Sequence, residues 1–130
     1  MVEMTLNFQV TSRIDNESLS LFFSDINEDE LKQCESHTLV LGCELVVHPA
    51  TKKFQVLKIP VDSLKWDKAA EQFPLEYHHE SGNDCAVISW YRLSETDRVK
   101  SRIDYMDSII FDTQDDKVVR IEVVSASMFL

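Results

Sequence analysis

The chain of 130 residues is 44% hydrophobic and 28% charged, a balance that suits one globular unit needing neither disulfide nor metal to fold. Its formal net charge of −10 disfavours binding to nucleic-acid phosphates, and its two glycines are too few for a glycine-rich phosphate loop. Three cysteines without CxxC spacing favour free, buried thiols over a disulfide scaffold or a zinc site.

Membrane and export signals are not part of the pattern. No apolar run approaches the length of a transmembrane helix, and the N-terminus lacks a charged segment followed by an apolar leader. Together with the unpaired cysteines, this predicts a cytoplasmic or nuclear protein that binds neither membrane nor nucleic acid.

The first half of the chain predicts a β-meander with one short helix. Alternating or β-branched apolar residues indicate four strands, at residues 4–11, 19–23, 38–47 and 54–61. The acidic segment 25–35 changes period, and Asp25 or Asn27 can cap a short helix there. Pro60 indicates an edge or the end of a strand.

A helix is predicted between the two halves, over residues 64–74. Ser63 is a suitable cap for its first turn, and Pro74 ends it. The second half then returns to strand patterns, at residues 75–80, 85–93, 98–105, 109–111 and 118–124. A polar turn at 112–116 joins the last two of these strands.

The two halves resemble each other in sequence. Residues 44–63 match 108–127 without a gap, so that Leu57 falls on Ile121 and the two turns keep one length. Upstream, residues 10–24 match 77–94 more weakly. We therefore predict an α+β fold, mainly antiparallel β, in which two tandem β-meander repeats with pseudo-twofold symmetry are joined by one linking helix. The predicted single domain, 1–130, comprises a first repeat (4–63), the helix (64–74) and a second repeat (75–127).

A family resemblance covers the second half. The residues that carry it are Asp84, Tyr91 to Ser94, Ile109 to Asp112, Ile121 with Glu122, and Ala126 with Ser127. In this order they resemble the domain of unknown function 2283 family, with a good match over 75–127 and a degenerate first copy over 4–63. The resemblance implies a fold and no catalytic residues.

Catalytic and metal-binding patterns are weak. His78 and His79 are neighbours on a predicted strand and so point to opposite faces, which prevents them from sharing one metal. The acidic turn at 112–116 lacks the spacing and the glycine of a calcium loop, and no GxSxG elbow is present. We therefore expect no enzyme, no metal and no cofactor.

An interaction module fits the pattern better. Two β-meanders leave free edge strands, which can accept another strand. Arg98, Lys100 and Arg102 alternate with less polar residues and form a basic stripe on an acidic protein, suited to an acidic partner or simply solvated. Further candidate partner-binding residues are Arg92, the aromatic residues on faces expected to be wet and the apolar tail, namely Trp90, Trp66, Phe54, Met128, Phe129 and Leu130.

The sequence thus predicts a non-catalytic protein–protein interaction module, a subunit or adaptor of an intracellular complex. Its partner is another protein or a second copy in a homodimer. Taken singly, each aromatic candidate fits the protein's own core better than a partner surface. The alternative function is a small-molecule-binding domain or a cryptic enzyme, with a pocket between the repeats lined by Tyr77, His79, Tyr91 or Tyr105.

Overall fold

The computed structural model describes residues 10–66, 75–80 and 82–130. Strands of the first repeat are β1 (Thr11–Ile14), β2 (Ser18–Phe22), β3 (Glu35–Thr38), β4 (Glu44–Val47) and β5 (Phe54–Pro60). Strands of the second repeat are β6 (Glu76–Glu80), β7 (Cys85–Ser89), β8 (Lys100–Asp104), β9 (Ile109–Gln114) and β10 (Lys117–Val124). Two short helices, α1 (Glu28–Leu31) and α2 (Ala126–Phe129), complete the described elements together with 3-10 turns at Val40–Gly42 and Val61–Ser63.

The strands form two antiparallel sheets with one topology. The first sheet has the order β1-β2-β5-β4-β3 and the second the order β6-β7-β10-β9-β8. Adding five to each strand number converts one order into the other. The prediction of a mainly antiparallel fold made of two tandem repeats is confirmed.

A β-bulge at the same place in the last strand of each repeat strengthens the correspondence. In the first sheet Val56 pairs with Val46 and Phe54 with Val47, so Gln55 is the extra residue. In the second sheet the extra residue is Val119, which lies 64 positions further along the chain. Bulges bend a strand and set its register, so an identical placement is a property of the repeat rather than of either sheet alone.

The ungapped match of 44–63 to 108–127 holds for β5 and β10 but is wrong for β4 and β9. Leu57 pairs with Leu45, whereas its counterpart Ile121 pairs with Phe111, so these strands correspond at a spacing of 66. Asp112, Thr113 and Gln114 belong to β9, and the turn shrinks to residues 115–116. A shift of two keeps every side chain on its face, which is why the sequence pattern does not reveal it.

The strand predicted over 38–47 is also wrong. Only its last four residues form a strand, β4, and a 3-10 turn in which Leu41 and Gly42 have positive φ angles, 59° and 75°, separates them from Thr38, the end of β3. A run of apolar residues does not by itself reveal such a reversal, and Gly42 was the only local sign of it. The helix predicted near residues 25–35 is confirmed as α1, and its cap is Asn27, whose Oδ1 accepts the Glu30 N–H at 2.8 Å.

Two predicted elements fall largely outside the described residues. Most of the strand predicted over 4–11 lies there, while β1 begins at Thr11. Residues 67–74 of the predicted linking helix lie there too. At its predicted start Leu64 is extended and forms a parallel bridge with Val118, so the helix does not begin at Ser63 as expected.

Inward-facing side chains of the two sheets form one hydrophobic core. Residues paired across neighbouring strands share a face, so Leu21, Leu57 and Leu45 form one row of the first sheet. The corresponding row of the second sheet is Ile88, Ile121 and Phe111. All six side chains are fully buried and belong to the same cluster.

The chain segments that follow β5 and β10 cross to the opposite sheet. After β5, the Lys65 N–H donates to the carbonyl of Val118, the second residue of β10, at 3.0 Å. After β10, Phe129 stacks on Phe54, the first residue of β5, with ring centroids 4.9 Å apart. Lys65 and Phe129, like Phe54 and Val118, are 64 positions apart. The exchange is therefore reciprocal, as a twofold relation between the repeats requires.

Candidate functional site

Strand β8 lies at an edge of the second sheet. It pairs with β9, and no other strand of the described residues pairs with its outer side. The basic stripe predicted from sequence runs along this strand, with Lys100 and Arg102 inside it and Arg98 just before it. The edge is therefore the place where the sequence-predicted partner site can be examined.

The backbone groups that β8 offers at its open edge follow from one hydrogen bond. Val124 N–H donates to the Ser108 carbonyl at 2.8 Å, so Ser108 faces β10. Backbone groups alternate in direction along a strand, so Ile109 and every second residue after it face β8. Their partners are Asp104, Arg102 and Lys100. By the same alternation, Ser101 and Ile103 direct their N–H and C=O groups toward the open edge.

Side chains on β8 divide between the two faces of the sheet. Arg102 is opposite Phe111 and Lys100 is opposite Thr113, so these two cations lie on the inner face, at the rim of the core. Ile103 is opposite Ile110 on the outer face, and 59% of its surface is exposed. Met106, in the turn that follows, is 79% exposed. The edge therefore combines cations on one face with an exposed apolar side chain on the other.

Cations of the stripe differ in how they are paired. An Arg102 guanidinium nitrogen lies 3.2 Å from Asp116 Oδ1. Arg98 and Lys100 line an open groove of about 670 Å³ and form no ion pair within the described residues.

The other carboxylates of that groove are engaged elsewhere. Asp97 accepts hydrogen bonds from the Ser94 N–H at 2.7 Å and the Gln114 side chain at 3.1 Å, which lower its pKa. Asp115 lies 3.9 Å from Lys65 Nζ. Two cations of the groove therefore keep their charge available to a partner.

Arg92 lies outside strand β8 and so does not belong to the surface along its open edge. It is exposed in the connection between β7 and β8 rather than on the edge strand itself. Its proposed role in partner binding stays a prediction.

The prediction that aromatic residues face a partner is wrong for Phe54, Trp90 and Phe129, which are buried. Phe54 and Phe129 stack in the core, and the Trp90 indole N–H donates to the Lys65 carbonyl at 3.0 Å. They join the two sheets, because the wet face assumed from the sequence is the face that the other sheet covers. Trp66 is half-buried against the core.

The C-terminal tail is only partly available. Met128 is 64% exposed, whereas Phe129 is buried beneath it. Leu130 is half-buried, and its carbonyl lies 3.5 Å from Lys53 Nζ. The tail therefore docks on its own protein, with Met128 as its exposed residue.

The four residues proposed to line a ligand pocket contact different neighbours. Tyr105 packs against His37 and Phe54 in the sheet interface, at centroid distances of 4.9 Å and 5.6 Å. Tyr91 lies under Lys65 Nζ, 5.1 Å from the nitrogen. Tyr77 lines an open groove on β6, and His79 contacts a carboxylate at the far end of that strand. The pocket between the repeats stays a prediction.

That carboxylate belongs to Asp84, which the family resemblance singled out with Ser127. Asp84 accepts hydrogen bonds from the Ser127 hydroxyl and backbone N–H, and His79 Nε2 lies 3.2 Å from its Oδ1. The Ser127 hydroxyl is the main cause of the lowered pKa of Asp84. Because serine and histidine both bind the aspartate and not each other, the cluster is no nucleophile–base pair. It fastens the start of α2.

A second polar cluster, on the outer face of the second sheet, was missed. Asp112 is only 1% exposed and accepts hydrogen bonds from Ser101 Oγ and Arg120 Nε, both at 2.7 Å. Burial, followed by the charge of Asp112, raises the pKa of neighbouring Glu122. From its sequence Asp112 is predicted in a solvated turn, and only the corrected end of β9 brings it opposite Arg120.

Other titratable groups remain dispersed. In residues 10–66, 75–80 and 82–130, no group of three or more His, Cys, Asp or Glu side chains could hold a metal ion. His78 is exposed, whereas His79 is half-buried, which confirms that they point to opposite faces.

All three thiols are free, but only Cys43 is buried, so the expectation of buried thiols was wrong for Cys34 and Cys85. Burial and the nearby Asp104 raise the pKa of Cys43 to about 12.

Comparison with known proteins identified no relative of the chain. No family model, curated protein or solved structure matches the chain. The resemblance to the domain of unknown function 2283 family therefore stays a prediction. Within the described part of the chain, no helix has the length and apolar character needed to cross a membrane.

Proposed function

We propose that the chain is a non-catalytic protein–protein interaction module, acting as a subunit or adaptor of an intracellular complex. The observation that carries this proposal is the open edge of β8, with the unpaired cations Arg98 and Lys100 and the exposed Ile103. Open edges of this kind accept strands from other chains. The free thiols fit a reducing compartment.

Comparison of the repeats supports a specific role for this edge. Strand β3 is its counterpart, and the paired rows align Glu35 with Lys100, His37 with Arg102 and Thr38 with Ile103. Both strands therefore have the same place in the same topology, yet only β8 has two cations and an exposed isoleucine. The fold alone does not require these residues.

Polar groups elsewhere support a non-catalytic role. The carboxylates of Asp84 and Asp112 accept hydrogen bonds from donors of the chain itself. Catalytic acids and nucleophiles need to face a substrate with a base in reach. These two clusters instead stabilise the tail and the second sheet.

A capture experiment tests the proposal. Tagged wild type is compared in cell lysate with a stripe variant, Arg98→Glu with Lys100→Glu and Arg102→Glu, by quantitative mass spectrometry. The charge-matched control reverses three exposed cations of the first repeat, Arg13, Lys32 and Lys58. We expect wild type and control to retain a common set of proteins that the stripe variant loses. Retention of the same set by all three would contradict the proposal.

A further inference from the structure

We infer that the occupant of the β8 edge is an extended acidic segment of another protein, added as an antiparallel strand. The inference rests on the proposed function and specifies its partner. Backbone groups of Ser101 and Ile103 face the open edge, so an added strand finds donors and acceptors at both residues. Main-chain hydrogen bonds of this kind give affinity, and alternate side chains give specificity.

Side chains on β8 prescribe a pattern for the added strand. Lys100 and Arg102 lie on one face at a spacing of two, and the ion pair of Arg102 with Asp116 is exposed, so carboxylates are favoured at alternate positions opposite both cations. Ile103 lies on the other face, and the residue that pairs with it gains from being apolar. The complementary segment therefore alternates acidic and apolar residues.

Strand β8 of a second copy does not satisfy this edge. When Ser101 of one antiparallel β8 strand lies opposite Ile103 of the other, Arg102 lies opposite Arg102 of the second copy. When Ser101 lies opposite Ser101, Lys100 lies opposite Arg102. Like charges directly opposite each other are destabilising. Pairing of Ile103 with itself would recruit Tyr105, whose N–H already donates to Asp104 Oδ1 and whose carbonyl accepts from Ser108.

The charges alone would be expected on any protected edge, since Lys and Arg discourage edge-to-edge aggregation. Ile103 departs from that explanation, because an edge built only to stay unpaired gains nothing from an isoleucine that is 59% exposed. The net charge of −10 repels an acidic segment at long range. That repulsion is screened beyond about 8 Å at physiological salt, which leaves the local cations to decide.

The test uses three short, labelled synthetic peptides and fluorescence anisotropy with the full chain. One peptide alternates Glu and Val, the second has the same composition with all Glu before all Val, and the third alternates Lys and Val. We expect the alternating acidic peptide to bind about tenfold more tightly than either of the others. The double change Lys100→Glu with Arg102→Glu should remove that advantage, whereas Lys58→Glu should not.

Strand addition makes a further demand on the peptide backbone. Only every second amide of an added strand faces β8. N-methylation of that set of amides should therefore abolish binding, and N-methylation of the other set should spare it. Equal binding of the three peptides, or equal tolerance of both methylated sets, overturns the inference, as does a wild-type dimer that Ile103→Lys dissociates. If the peptides fail while lysate capture still depends on the stripe, the inference falls and the proposed function stands. If the peptides fail and lysate capture does not depend on the stripe, both the inference and the proposed function fall.

Discussion

At the scale of single residues, the two repeats place different side chains at equivalent positions beside the bulge. Val46 and Val56 pair beside the bulge of the first sheet, and Asp112 and Arg120 occupy the corresponding positions in the second. Both Val46 and Asp112 are buried, with exposed fractions of 7% and 1%. A salt bridge in the second sheet and a valine pair in the first thus fill equivalent positions. The valine pair can therefore be introduced at the positions of the salt bridge and its effect on stability measured.

The first prediction concerns this pair. Asp112→Val leaves the Arg120 and Ser101 donors without their acceptor and should lower the free energy of unfolding by about 2 kcal/mol. Adding Arg120→Val recreates the valine pair of the first repeat and should recover most of the loss. Urea denaturation of wild type, both single variants and the double variant measures the coupling. A double variant whose loss equals the sum of the two single losses would contradict the prediction.

A second prediction concerns Glu122, whose pKa is raised by burial and then by the charge of Asp112. The folded state therefore binds the proton more tightly than the unfolded state. The resulting stabilisation is full below the ordinary pKa of 4.5 and is lost as the pH rises through the raised folded-state value.

Glu122→Gln should consequently raise the free energy of unfolding at pH 7 by about 0.5 kcal/mol. The difference in unfolding free energy between variant and wild type should shrink as the pH falls toward 4.5. Denaturant unfolding measured at both pH values checks this behaviour. A variant that is markedly less stable than wild type at pH 7 would show that the Glu122 carboxylate is stabilising.

At the scale of elements, the reciprocal arms hold the sheets together. Phe129 in α2 stacks on Phe54 and is buried, and Asp84 fastens the start of the same helix. We expect Phe129→Ala to lower the free energy of unfolding by about 3 kcal/mol, because it leaves a cavity between the sheets. Met128→Ala is the matched control, since that side chain is exposed. Thermal unfolding distinguishes them, and equal melting temperatures would mean that the tail does not contribute to the core.

Much of the strand pattern could be predicted from period-two alternation. The hairpin of β9 and β10 and the charged face of β8 were found in this way, because one buried face forces alternation. Strand β3 was missed because it is an edge strand without a buried residue. The two-residue shift between β4 and β9 was missed because a shift of two preserves the face of every side chain.

The candidate site could be predicted only in part. Alternation within a strand places Lys100 and Arg102 on one face, so these two cations of the stripe could be found from sequence. Burial of Phe54 and Trp90 depends instead on which face the other sheet covers. No local pattern contains that information, so alternation alone does not separate core aromatics from a partner surface.

At the scale of the whole molecule, the two sheets share one core and should unfold together. Leu21 is fully buried in the first sheet and belongs to the same cluster as Ile121 in the second. Leu21→Ala should destabilise the fold by about 3 kcal/mol. Hydrogen exchange should then accelerate alike for the slowest amides of β5 and β10. Acceleration confined to the first sheet would mean that the repeats are separate cooperative units.

Duplication also supplies the sharpest control for function. Because β3 and β8 have the same place in the two sheets, residues of β3 are compatible with the backbone of β8. Ser36 and Ser101 are already identical at corresponding positions. Replacing Lys100, Arg102 and Ile103 by their β3 counterparts, Glu, His and Thr, therefore changes the proposed partner surface with little effect on the fold.

Capture of partner proteins by this β3-like variant tests the central claim most directly. We expect Lys100→Glu with Arg102→His and Ile103→Thr to unfold within about 1 kcal/mol of wild type while losing the partners that wild type retains. Undiminished capture by the folded variant would contradict the claim that the edge of β8 is the interaction surface.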